Sequence, residues 1–251
     1  MTPNWTPLDD ELTLWAEAGL RLPLWWRDDD AIAPTPALSR LDKMAANLGM
    51  PVHLAVIPAR AEGGLADALT PRLVPVVHGW THDNHAPGGE KKAEFGRHRP
   101  LVPMRAEAEA GLGRMTGLFG TDLVPMFVPP WNRIDPALLP SLAALGYRWL
   151  STFTPRATAE AAPGLTCINT HFDPIDWKGH RGLADPDKLI AQVARQLGDR
   201  RRGLADSAEP YGILTHHLVH DAAIWAFCDR LLTRLLSGPA FVMPSLKGPT
   251  S

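Results

Sequence analysis

Short apolar runs alternate along this chain with segments punctuated as helices, and no other feature restricts its possible folds as much. The runs cover residues 22–26, 51–57, 73–77, 123–128, 165–170, 211–215 and 240–243. Between them, Thr6-Pro7, Thr35-Pro36, Asp135-Pro136 and Asp185-Pro186 each place a side-chain oxygen before a proline suited to a first helical turn. Three of these segments stop at Gly19, Gly49 and Gly146 and the fourth near Gly198, as expected for glycine just past a helix end. Strands separated by helical crossovers predict an α/β fold with a parallel sheet, open or closed into a barrel. No linker, repeat or low-complexity tract breaks the pattern, so residues 1–251 read as one domain. The stretch 86–103, rich in Gly, Lys and Arg, is long for a loop and reads as a functional flap. Arg200-Arg201-Arg202 reads as a solvated turn.

Polar clusters stand at or near the ends of several runs. Arg27-Asp28-Asp29-Asp30 follows the first, His78-Gly79-Trp80-Thr81-His82 the third and Asp173-Pro174-Ile175-Asp176-Trp177 the fifth, while Thr215-His216 ends the sixth. The carboxyl ends of parallel strands converge at one edge of such a sheet. Carboxylates and imidazoles gathered there are the ligand types of a hydrolytic metal site. If 78–82 forms one helical turn, His78 and His82 project from the same face and can share a cation; the alternative is two surface histidines on a loop. Asp83, Asn84 and His85 are placed to orient them. Three adjacent carboxylates repel one another and persist best beside a cation or an arginine. The turn Phe127 to Arg133 can aim a backbone N–H at a developing oxyanion, or serve simply as a rigid corner.

Composition narrows the function. With 25 Lys+Arg against 27 Asp+Glu there is no basic stripe, which argues against nucleic acid as a partner. Two cysteines, Cys167 and Cys228, are too few for a disulfide framework or a thiolate zinc site and read as buried small hydrophobes. Asp9, Asp10 and Glu11 stand where a secretory signal would be basic, and no apolar stretch has membrane-spanning length, so a soluble cytoplasmic protein without membrane insertion is expected. Nine tryptophans against two tyrosines, several flanking the clusters, suit sugar rings or ordinary core filling. The oligomeric state is not legible.

The ordered series of clusters resembles the polysaccharide deacetylase family, with its NodB homology domain related to family 4 carbohydrate esterases, from about residue 20 to residue 240. The resemblance implies a distorted (β/α) barrel of about seven parallel strands. Arg27-Asp28-Asp29-Asp30 matches the family's aspartate pair, with Asp29 as catalytic base and Asp30 as metal ligand; a one-residue shift to Asp28 and Asp29 stays open. His78 and His82 match the two-histidine motif, with Gly79 in its hydroxyl position. Val128-Pro129-Pro130-Trp131 matches the third motif but puts valine where many members carry an arginine that steadies the base; Arg27 and Arg133 are the two substitutes at hand. The fourth and fifth motifs match Asp173 to Trp177 and Leu214-Thr215-His216.

On this resemblance the chain is expected to be a metal-dependent hydrolase of carbon–nitrogen bonds other than peptide bonds. It would remove acetyl groups from an N-acetylated (or O-acetylated) sugar or oligosaccharide precursor. A divalent metal, zinc before others, would be held by Asp30, His78 and His82. Asp29 would take a proton from water, the Trp131 N–H would face the oxyanion, and His216, tuned by Asp176, would protonate the leaving group. Trp80, Trp177 and Arg133 would contact the sugar. Two other readings compete: a related hydrolase of a small non-sugar amide or cyclic imide, and a glycan-binding protein that has lost catalysis, for which Val128 and Gly79 speak.

Overall fold

The protein is described by a computed structural model covering residues 2–244 and Leu246. Its strands are β1 (Leu22–Ala31), β2 (Val52–Val56), β3 (Leu73–His78), β4 (Met126–Val128), β5 (Trp149–Leu150), β6 (Glu160–Ala162), β7 (Leu165–Cys167), β8 (Tyr211–Thr215) and β9 (Ala240–Val242). The helices are α1 (Thr6–Glu17), α2 (Pro36–Leu48), α3 (Gly64–Ala68), α4 (Leu101–Phe119), α5 (Leu139–Leu145), α6 (Pro186–Arg201) and α7 (Ala222–Ser237). Every expected run contributes a strand. The two that periodicity missed, β5 and β6, are only two and three residues long, too short to show a period.

The sheet runs β6-β7-β5-β4-β3-β2-β1-β8, with β9 added against the start of β1. All ladders are parallel except β6 with β7. The ladder is not a continuous ring. Single bridges, Phe153 with Thr170 and Phe172 with Ile213, carry the segment after β7 between the ends of β5 and β8. The His171 N–H donates to the Gly212 carbonyl at 2.7 Å, and the Leu214 N–H donates to that of Phe172 at 2.8 Å. Only glycine permits this approach, because a Cβ at 212 would lie 2.4 Å from the Asn169 carbonyl oxygen. The result is the distorted α/β barrel expected.

Alternation along the strands sorts side chains to the two faces of the sheet. Leu24 and Trp26 join the larger core under the helices, whereas Trp25 joins Ala55, Val74, Val76, Met126 and Val128 on the other face. Each fully buried Leu or Val there contributes about 1.5–3 kcal/mol. Arg27, Asp28, Asp29 and Asp30 lie inside β1, which extends through Ala31 instead of stopping at Trp26. Thr35 accepts from the Leu38 N–H and Asp185 from those of Asp187 and Lys188, as helix caps should. Gly49 and Gly146 close their helices at φ 61° and 107°. Thr6 caps nothing: it is the first helical residue of α1.

Gly198 does not end its helix, since α6 continues to Arg201. The arginine triplet is not a solvated turn either. Arg200 is buried, its guanidinium donating to the backbone carbonyls of Asp206 and Glu209, and Arg201 pairs with Glu11 at 2.7 Å. Asp206 and Glu209 lie in the loop after α6 and Glu11 on α1, contacts that no local pattern reveals. Cys167 and Cys228 are buried and free. Among the described residues no helix is long and apolar enough to cross a membrane.

Candidate metal and catalytic site

Strict alternation along β1 would turn Asp28 and Asp30 to one face and Asp29 to the other. The register against β2 slips between Asp28 and Ala31, and Asp30 takes a left-handed conformation at φ 75°. Aspartate tolerates that region better than most residues. The irregularity re-aims Asp30, so that it and Asp29 line the same cleft.

The three aspartates have separate partners. Asp28 is fully buried and accepts from the Thr215 hydroxyl, the His217 ring Nδ1 and the His217 N–H. Burial opposes its ionisation, but His217 outweighs that and holds its carboxyl below the ordinary range. Asp29 accepts both arms of Arg27, Nε–H at 2.8 Å and Nη2–H at 3.0 Å. Asp30 Oδ1 faces Nε2 of His78 at 3.1 Å and Nε2 of His82 at 3.3 Å. Burial raises the Asp30 pKa, yet the His78 hydrogen bond and the surrounding imidazoles bring it far below a normal carboxyl. Asp29 and Asp30 therefore share the cleft, and Asp28 lies apart in a buried pair with His217.

His78 ends β3 opposite Val128, and its Nδ1–H donates to the Val128 carbonyl at 2.9 Å. That tautomer, assigned from the hydrogen bond, leaves the Nε2 lone pair toward Asp30. His82 arrives by a different route from the helical turn considered above. Residues 79–82 form a loop with left-handed backbone at Gly79 (φ 56°) and His82 (φ 61°). Buried Glu94 braces it, accepting from the N–H groups of Trp80 (3.2 Å), Thr81 (2.7 Å) and His82 (3.1 Å) and from the Thr81 hydroxyl. A Cβ at position 79 would lie 2.3 Å from that carboxylate, which accounts for glycine in the hydroxyl position. Candidate ligand atoms of Asp30, His78 and His82 lie within 4.8 Å of one another. One carboxylate and two imidazoles whose Nε2 atoms converge on it fit a divalent metal such as zinc.

Arg27, not Arg133, steadies Asp29. All of its N–H groups are engaged: besides Asp29 they reach the Asn132 side chain at 2.7 Å, the Ser151 hydroxyl at 2.6 Å and the carbonyls of Ser151 and Thr152. Val128, in the position of the missing arginine, is apolar core. Arg133 lines the cleft and donates to the Lys92 carbonyl at 2.7 Å. Trp131 also lines it, in a left-handed turn at φ 56°, with its ring 4.4 Å from that of His82. Among the described residues no carbonyl accepts the Trp131 N–H.

His216 follows β8 and enters the same cleft, which measures about 830 Å³. The carboxylate facing it is Asp173, with Oδ2 4.0 Å from His216 Nδ1. The expected partner, Asp176, instead turns to the Gly179 N–H at 3.0 Å and to His180 at 3.3 Å, away from the cleft. Asp173 is fixed by the Ile175 N–H at 3.0 Å and the Trp177 Nε1–H at 2.8 Å, and burial raises its pKa. Asp176 lies outside the cleft at the start of a turn over 177–180, where its carbonyl accepts from the Gly179 and Arg181 N–H groups, an arrangement that spacing does not show. Trp177 packs edge-on to His216 at 4.8 Å and lines the cleft. Trp80 does not: it packs against the core. The residues that sequence reasoning missed are Glu94, Asn132 and the Asp28–His217 pair. The sequence offers little signal for Glu94, which shares its largely basic stretch with Glu90 and stands between Ala93 and Phe95.

No family profile matches the chain and no curated protein matches it. Solved structures do. A candidate polysaccharide deacetylase from Mycobacterium smegmatis superposes with a TM-score of 0.60 at 14% identity, over 82% of this chain and 72% of that one. A family 4 carbohydrate esterase from Streptomyces lividans, in complex with acetate, gives 0.55 at 17% over 90% and 94%. A family 4 acetyl xylan esterase from Clostridium thermocellum, in complex with a cobalt ion, gives 0.52 at 14% over 88% and 86%. At such identities the likeness carries the architecture. The chain has the fold of the polysaccharide deacetylases and family 4 carbohydrate esterases.

Proposed function

We propose that the protein is a divalent-metal-dependent hydrolase that removes acetyl groups from an acetylated sugar or oligosaccharide. The observation that carries this reading is the meeting, in one cleft, of a two-histidine, one-carboxylate ligand set, a second carboxylate locked by arginine, and a histidine faced by a part-buried aspartate. A metal held by Asp30, His78 and His82 would supply Lewis-acid polarisation of the acetyl carbonyl and a more acidic water. Asp29, oriented by both arms of Arg27, takes the proton from the attacking water. The Trp131 N–H donates to the oxygen that gains charge as the acetyl carbon becomes tetrahedral. His216 protonates the departing amine or hydroxyl, and Asp173 steadies its imidazolium. Trp131, Trp177 and Arg133 contact the sugar.

The Asp29–Arg27 pair weakens the reading of a glycan-binding protein that has lost catalysis. That reading leaned on Val128, whose missing arginine has a replacement two residues before the base. The test is acetate release from N-acetylated and O-acetylated sugars by zinc-loaded and chelated protein, with Asp29→Asn as control and a cyclic imide offered in parallel. Chelator-sensitive acetate release that Asp29→Asn loses is the expected result. Imide turnover without acetate release would refute the choice of substrate, and no turnover in any arm would refute hydrolysis.

A further inference from the structure

Three cationic side chains line the cleft beyond the residues assigned to chemistry: Lys92, Arg133 and Arg181. Among the described residues none of them forms an ion pair with a carboxylate. The acids on the cleft floor have other partners: Asp29 pairs with Arg27, Asp30 faces His78 and His82 in the candidate metal set, and Asp173 faces His216. The cations are also arranged. Lys92 Nζ lies 5.9 Å from the centre of the Trp131 ring, and that ring packs on His82. The Arg181 guanidinium lies 5.9 Å from the Trp177 ring, and that ring packs on His216. Each end of the catalytic row therefore carries an aromatic plate with a cation over it. Arg133 joins the first pair through its bond to the Lys92 carbonyl. Arg181 is held in left-handed backbone at φ 60°, its N–H donating to the Asp176 carbonyl at 3.1 Å.

An aromatic face suits a pyranose ring, and a guanidinium beside it suits a planar or tetrahedral anion. A neutral acetylated sugar would leave these cations without an anionic partner. From this we infer that the cleft selects an acetylated sugar bearing an anionic group, phosphate or carboxylate, which docks on Lys92, Arg133 and Arg181 while the acetyl group sits at the metal ligands. The inference rests on the deacetylase reading and names its substrate class.

The experiment compares zinc-loaded full-length protein on N-acetylglucosamine oligomers, which are neutral, with N-acetylglucosamine 1-phosphate and N-acetylmuramic acid, which offer phosphate and carboxylate respectively. The expected result is a kcat/KM at least about tenfold higher for one of the acidic substrates, the scale of a single charge-assisted contact. That preference should shrink as salt rises and collapse in a Lys92→Gln/Arg133→Gln/Arg181→Gln triple variant. Equal kcat/KM on neutral and acidic sugars, or a preference that survives in the variant, overturns the inference while leaving the deacetylase reading intact. A second readout needs no turnover: calorimetric titration of metal-free protein with glucosamine 1-phosphate against glucosamine. Tighter binding of the phosphorylated sugar that the triple variant loses supports the inference even if no acetate is ever released. No difference between the two ligands in the wild type overturns it.

Discussion

Replacing Arg27 tests the least expected part of the site. Its guanidinium is fully buried and spends two N–H groups on Asp29, one on Asn132 and two on Ser151 and Thr152. Arg27→Gln retains one short amide, which can reach at most part of that set. Breaking a buried ion pair from one side costs about 3–5 kcal/mol, less than the stability of most domains, so the variant should fold with a lowered urea midpoint. Asp29→Asn should cost a comparable amount, and the double variant much less than the sum, giving a coupling of about 2 kcal/mol or more. Arg27→Gln should also lower kcat for acetate release by about 10²–10⁴-fold, the contribution of a general base, because Asp29 loses both contacts that aim it. Arg27→Lys keeps the charge but not the fork, and should remain at least about tenfold impaired. A folded Arg27→Gln protein with kcat within about threefold of wild type, or a cycle coupling below about 0.5 kcal/mol, would refute the assignment.

Asp173→Asn should lower kcat by about tenfold or more and flatten the limb of the pH–rate profile that reports the acid, while Asp176→Asn should do neither; the reverse order in steady-state kinetics would restore Asp176. Zinc at one hundred times its Kd should stabilise wild-type protein by about 2.7 kcal/mol and so raise its thermal midpoint, and leave that of Asp30→Asn unmoved in the same scan. Glu94→Ala should weaken zinc binding by about 10–100-fold in a chelator competition, because three loop N–H groups lose their acceptor. Burial holds His53 down at about 4 against its ordinary 6.5. A histidine that folds neutral contributes stability above its unfolded pKa and loses it as pH falls, so about 3 kcal/mol should disappear between pH 6.5 and 4. His53→Leu should remove that part of the acid slope in urea melts, and an unchanged slope would show that His53 is not the group responsible.

Legibility followed the range of the interaction that places each residue. The strands β1, β2, β3 and β8 were readable because burial imposes local apolar runs. The candidate ligands His78 and His82 were readable because they sit at and just after the end of one. What decided the other roles was contact between distant segments. Asp173 and Asp176 differ by three residues, and only the path of residues 173–180 shows which one faces His216. Glu94 is not distinctive in its own stretch, yet three N–H groups of the ligand loop converge on it. Trp80 and Trp177 flank their clusters in the same manner in sequence, and packing alone sends the first to the core and the second to the cleft.

The acidic run in β1 shows how local order and distant contact combine. Like charges on consecutive residues repel, and a regular strand would separate them onto two faces without relieving any of them. Here each aspartate meets a different kind of partner. Asp28 has a buried imidazole and a hydroxyl from the β8 end, Asp29 a guanidinium from its own strand, and Asp30 two imidazoles from the β3 end. The first two are matched within the chain. Asp30 and its imidazoles turn their ligand atoms toward one another, and a cation between them would complete the set. The slip in register at Asp30 is what separates that third role from the first. A residue restoring regular backbone there would return the carboxylate toward the face of Asp28 and dismantle the ligand set, even if its charge were kept.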